Sequence, residues 1–158
     1  MFRTTTLILA LLALSSGALL AQKKGVTSPS LPPSANFSHG ILAGDTLYVS
    51  GQVGRGADGK RPESFEDEVK ATFGSIEGIL KAGGMGFEDV VQVNVYLTDM
   101  TLFDRMNKVY VTFLPEPRPT RTTVGVSSLV GNYRIEITVT ARKAGAGGGA
   151  RQRERRKN

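Results

Sequence analysis

At 158 residues and 40% hydrophobic content, the chain has room for one domain whose core can hold without disulfides or metal. It has no cysteine and a single histidine, which excludes a disulfide framework, a thiolate nucleophile and a zinc cluster. The net charge of +6 sits at the ends: residues 142–158 carry seven Lys/Arg against one acid and Arg3 adds another, while residues 22–141 hold twelve basic and thirteen acidic residues. A nearly neutral body lacks the basic surface that nucleic-acid binding leans on.

Residues 1–21 have Arg3 as their only charge, an apolar run from Leu7 to Leu20 and small residues at the end. This is the pattern of a secretory signal peptide, because the run is shorter than the roughly 20 residues that span a bilayer. The chain is therefore expected to be exported, periplasmic or extracellular, with no membrane span after cleavage. Residues 22–35 contain Pro29, Pro32 and Pro33 among serines and are expected to form an extended arm. Residues 144–158 combine a glycine run with Arg and Lys; such a segment cannot bury apolar area and is expected to be a solvated basic tail.

Between these ends, residues 36–143 switch between a period of two and one of about 3.6. Residues 37–43 and 46–51, joined by Gly44-Asp45, predict a β-hairpin. Ser64 predicts an N-cap for a helix carrying Phe65, Val69, Phe73, Ile76 and Leu80, which Gly83-Gly84 stops. Val91, Val93, Val95 and Leu97 alternate with polar residues and predict a strand. Leu102, Met106, Val109, Tyr110 and Phe113 mark a second helix, ended by Pro115 and Pro117. Residues 121–126 and 133–141 predict two last strands, the latter with Ile135, Ile137 and Val139 on one face.

The order ββαβαββ predicts an α+β fold with both helices on one face of a sheet. The other face, with Asn94, Tyr96, Glu136 and Thr138, is too mixed for free exposure, which points to self-association.

Two charged residues stand out. Arg121 opens a strand otherwise built of small or β-branched residues, and its fork of donors matches a carboxylate. It fits either a clamp for a small carboxylic acid or a surface ion pair. Glu136 lies between Ile135 and Ile137, where an acid is disfavoured without a partner or a role. Should the last two strands pair as a hairpin, Arg121 and Glu136 meet at one end. The pair is then either structural or a clamp beside a carboxylate that orients water.

The segments DTLYVSGQV (residues 45–53), VVQVNVYLTD (90–99), MNKVYVTF (106–113), 118–126 and RIEI (134–137), in this order and spacing, resemble the RidA/YjgF family. The resemblance covers about residues 36–143. It implies a chorismate-mutase-like fold, a homotrimer with clefts between subunits, and hydrolysis of 2-imino acids or their enamine tautomers to 2-keto acids and ammonia, with no metal or cofactor. By the same resemblance Arg121 clamps the substrate carboxylate and Glu136 positions the attacking water. Asn107 matches a substrate-binding asparagine in the family's helix motif NxxY, and Ser50 and Gly51 match the SGQ turn lining the cleft. Phe37 stands where the family has a tyrosine, keeping the ring and losing the hydroxyl, and Thr123 stands at a position often held by cysteine. His39, two residues after Phe37, is a second candidate proton carrier, although a lone histidine on a strand is more often structural. Two other readings remain: a non-catalytic trimer that binds a small carboxylate through Arg121, and the ribonuclease or translation-inhibitor activity ascribed to some relatives, for which only the basic tail speaks.

Overall fold

The structure, a computed structural model, describes residues 22–143. The signal-like segment and the basic tail lie outside the described residues. Eight elements follow in chain order: β1 (Lys24–Val26), β2 (Gly40–Ala43), β3 (Thr46–Val53), α1 (Phe65–Ala82), β4 (Val90–Leu97), α2 (Phe103–Phe113), β5 (Thr120–Gly125) and β6 (Ile135–Arg142). The strands form one sheet in the order β1-β2-β3-β6-β4-β5, parallel only between β4 and β5. Both helices cover the same face, as the sequence pattern predicts. No helix among the described residues is long and apolar enough to cross a membrane.

Each element has a local cause. Ser64 Oγ accepts the Asp67 amide hydrogen at 3.3 Å, and Glu66, Asp67 and Glu68 fill the first turn of α1, where negative charge offsets the helix dipole. The apolar stripes of α1 and α2 meet in an aromatic cluster: Phe73 stacks on Phe113 at 4.7 Å and meets Tyr110 edge-on at 5.8 Å, contacts that add specificity beyond area burial. Beneath them Leu47, Val93, Val95, Leu97, Ile135 and Ile137 are fully buried. A turn at Gly44, with φ of 59°, closes the β2–β3 hairpin.

Four details depart from the sequence expectations. The arm is not free: β1 adds a short strand beside β2 and buries Val26 and Ser28. Phe37 precedes β2 and stays exposed. In β4 a register shift between Val90 and Gln92 turns Val90 inward and leaves Val91 exposed. Most consequential, β5 and β6 do not pair. The α2 crossover lays β5 parallel to β4 at the sheet edge, and β6 inserts between β3 and β4. The physical reason lies in their faces. Ile135, Ile137 and Val139 need burial on a central strand, whereas the polar run TRTTVG of β5 is exposed along most of its length and suits an edge.

Candidate functional site

The sheet topology separates the two charged residues. Arg121 lies opposite Val93 and Val93 opposite Val139, so Arg121 projects to the helix side, at the edge. Glu136 lies opposite Tyr96 and Val53 and projects to the open face. The expected meeting at a hairpin end is therefore corrected: within one chain the two side chains occupy opposite faces.

On the helix side, three residues of α2 hold the Arg121 guanidinium. Its Nη1 donates to Asn107 Oδ1 at 2.8 Å, and its Cζ stands 4.6 Å over the Tyr110 ring and 5.5 Å over the Phe103 ring. Cation–π attraction of about 0.5–1 kcal/mol at such an exposed position fixes the plane and leaves the outer donors to solvent. No carboxylate lies within ion-pair distance of it among the described residues. Tyr110 is itself pinned by Phe73; burial pushes its phenol up, against the pull of the Arg121 and Arg118 charges. Thr123, two residues along β5 on the same side, has a buried Oγ1 with no hydrogen-bond partner among the described residues, as does the Tyr110 hydroxyl.

On the open face, Glu136 rests on Gly51. A Cβ built at Gly51 would lie 1.8 Å from Glu136 Oε1, so the carboxyl occupies the space a side chain would take. The close approach comes from a β-bulge: β3 spends three steps from Val49 to Gln52 where β6 spends two, a device that re-aims side chains. The bulge is braced from below. Ser50 Oγ donates to the His39 carbonyl at 3.1 Å, and buried Gln52 donates to the Ser50 carbonyl at 3.1 Å and the Gly51 carbonyl at 3.0 Å. Half-burial raises the Glu136 pKa above the ordinary carboxylate value, desolvation being the cause.

His39 ties the arm down. Its Nε2 lies 2.9 Å from the Pro32 carbonyl; a carbonyl only accepts, so Nε2 carries the hydrogen. Its Nδ1 is buried without a partner among the described residues, and Phe37 packs edge-on against the ring at 5.5 Å. A second anchor holds the start of β6, where the backbone N–H of Arg134 donates to Glu68 Oε1 and its Nε to Glu68 Oε2, both at 2.6 Å, with Glu68 fully buried.

The candidate residues thus fall into two groups. Arg121, Asn107 and Thr123 share the helix-side edge; Glu136, Gly51, Ser50 and Phe37 belong to the bulge and its surroundings. Tyr110 was legible only as a core position, although its place one turn after Asn107 puts both on one helix face. Gln52, inside the SGQ segment, is the other residue missed.

Residues 27–143 match the sequence pattern of the family described as endoribonuclease L-PSP. The chain belongs to this family, the RidA/YjgF family. Family members similar to it include a RutC family protein of Aquifex aeolicus, 32% identical over 122 residues and covering 75% of this chain and 98% of the relative. Another is a 2-iminobutanoate/2-iminopropanoate deaminase of Dermatophagoides farinae, 31% identical, covering 75% and 94%. Among solved RidA/YjgF-like structures, RidA of an Antarctic Psychrobacter superposes with a TM-score of 0.72 at 31% identity, covering 76% of this chain and 99% of that one. A Thermotoga maritima structure gives 0.74 at 32%, covering 78% and 100%. The mixed six-stranded sheet with two helices is that of these neighbours.

Proposed function

We propose that this RidA/YjgF protein is an exported homotrimeric deaminase that hydrolyses 2-imino acids or their enamine tautomers to 2-keto acids and ammonia. The observation that carries the reading is Arg121: a guanidinium held by Asn107, Tyr110 and Phe103, open to solvent, with no acidic partner among the described residues. Such a pre-placed fork suits a substrate carboxylate. Glu136 supplies the second role. Its burial-raised pKa makes its ionised form a stronger base toward water than an ordinary carboxylate.

In the reaction, water loses a proton to Glu136 as its oxygen bonds to the imine carbon. As that bond forms, the C=N π pair moves to nitrogen and Glu136 returns the proton to it; the new hydroxyl then gives its proton to the nitrogen by way of Glu136, the C–N bond breaks, ammonia leaves and the carbonyl forms. Because Arg121 and Glu136 lie on opposite faces, a site using both needs two copies, the helix-side edge of one against the open face of its neighbour. Tyr48 and Val124, 53% and 41% exposed on that open face, support such an assembly. Export rests on the signal-like pattern of residues 1–21.

The test is release of ammonia or 2-keto acid from 2-iminopropionate and 2-iminobutyrate, generated in place by an amino-acid oxidase, with protein lacking residues 1–21. Acceleration that falls about a hundredfold in Arg121→Ala, the loss expected for one charge-assisted bidentate contact, upholds the reading. Phe37, which lacks a phenol, favours one alternative: a non-catalytic carboxylate-binding trimer. Folded trimer that binds a 2-keto acid through Arg121 without releasing ammonia would decide for it. The nearly neutral body speaks against RNA cleavage, despite the family's descriptive name.

A further inference from the structure

A cleft of about 820 Å3 opens beside Gly51, between the arm at residues 30–35, the end of β3, the loop at residues 55–59 and one side of α1. That volume lies within the roughly 300–1,000 Å3 of small-ligand sites and far exceeds what a methyl or ethyl group fills. Leu31, Pro32, Pro33, Phe37 and Val53 make the wall largely apolar, and among the described residues Arg55 is the only Lys, Arg, Asp or Glu on it. Phe37 is 55% exposed there, a ring that an occupant would cover.

The helix wall is kept low. Gly74 lies in the middle of the 18-residue α1, where glycine is among the poorest helix formers. A Cβ at Gly74 meets nothing within 4 Å, whereas one at Gly78, a turn later, would stand 2.6 Å from Ser28 Oγ. Packing of the arm therefore accounts for Gly78 and not for Gly74. The arm rides on the helix at Gly78 and stands off it at Gly74, and the gap between them is the cleft. Gly51 links the cleft to one of the proposed reacting groups: it lines the cavity and also carries the carboxyl of Glu136, which itself stands outside the lining.

From this geometry we infer that the cleft receives the substrate side chain and that the enzyme prefers 2-imino acids bearing large apolar or aromatic side chains. The inference rests on the deaminase reading and names the substrate class for that site. The walls that set the preference are Phe37, Val53 and the arm prolines, with Gly74 holding the helix side open.

The assay compares kcat/KM of the assembled protein, lacking residues 1–21 as in the deaminase test, on imino acids generated from phenylalanine, leucine and alanine. A preference of about tenfold or more for the larger substrates is expected, the discrimination an apolar pocket gives for added methylenes. Gly74→Leu, whose Cβ meets nothing within 4 Å on a helix residue lining the cleft, should fold with an unchanged or raised melting temperature and lower the phenylalanine-to-alanine ratio about tenfold. A folded Gly74→Leu protein with the wild-type ratio overturns the inference, and so does a wild type that favours the alanine-derived imine. Should no imine turn over, the deaminase reading itself falls, and the cleft is judged by calorimetry with 3-phenylpyruvate against pyruvate. Tighter binding of the aromatic acid that Gly74→Leu abolishes upholds the cleft's role; equal binding of both acids ends it.

Discussion

Replacing Gly51 by alanine separates the catalytic role proposed for Glu136 from a structural one. The added methyl carbon would lie 1.8 Å from Oε1, 2.7 Å from Cδ and 3.2 Å from Cγ of Glu136. All three atoms belong to the free end of a half-exposed side chain, so the carboxyl swings away and the backbone stays. Holding a side chain off its preferred rotamer costs about 0.5–1.5 kcal/mol, which bounds the loss of stability to a few degrees in Tm. Removing a positioned general base costs about 10²–10⁴ in rate. Gly54→Ala is the contrast: its Cβ would stand 2.1 Å from the Glu68 carbonyl oxygen and 2.7 Å from the carbonyl carbon, so the α1 backbone must yield, at about 1–3 kcal/mol or more. Thermal melts and imine hydrolysis on both variants are the assay. Gly51→Ala with wild-type kcat, or with a kcat loss no larger than its Tm loss explains, refutes the argument that Glu136 acts from this place.

The remaining predictions concern charge. Glu136→Gln should be more stable than the wild type near neutral pH. The folded protein holds this proton to higher pH than the unfolded chain does, so wild-type stability falls as pH rises through the folded pKa, and glutamine is spared that loss. Urea denaturation should show the difference vanish below about pH 4, where both states are protonated. Glu68→Ala leaves Arg134 without its buried partner and should cost about 3–5 kcal/mol; a loss under about 1 kcal/mol by the same method would show that the pair does not anchor β6.

The elements were legible because their periodicity is undisturbed: the Ser64 cap, the apolar stripe of α1 and the Ile135, Ile137 and Val139 alternation each carry a local signal. Strand order carries a weaker one. Adjacent strands suggest a hairpin, and only the contrast between the polar run of β5 and the apolar face of β6 shows which must be central. Arg121 and Glu136 were conspicuous as charges among β-branched neighbours, but facing is a property of the register, so their separation could not be read from spacing. Tyr110 escaped notice because one residue does two jobs: its ring fills the core position the helical period demands while its face supports Arg121. The cleft is least legible of all. It is a consequence of where a side chain is missing, and a glycine in a helix gives no sign of what the missing Cβ would have met.

The placement of Arg121 and Glu136 on opposite faces bears on inheritance. If each site borrows one residue from each of two chains, a subunit that has lost Glu136 still lends its arginine to a neighbour, and one that has lost Arg121 still lends its carboxylate. Two alleles that are each inactive alone would then rebuild about a quarter of the sites when expressed together, because chance pairs an intact arginine with an intact glutamate that often at a cyclic interface. The unit on which selection acts would be the junction between subunits rather than the single chain.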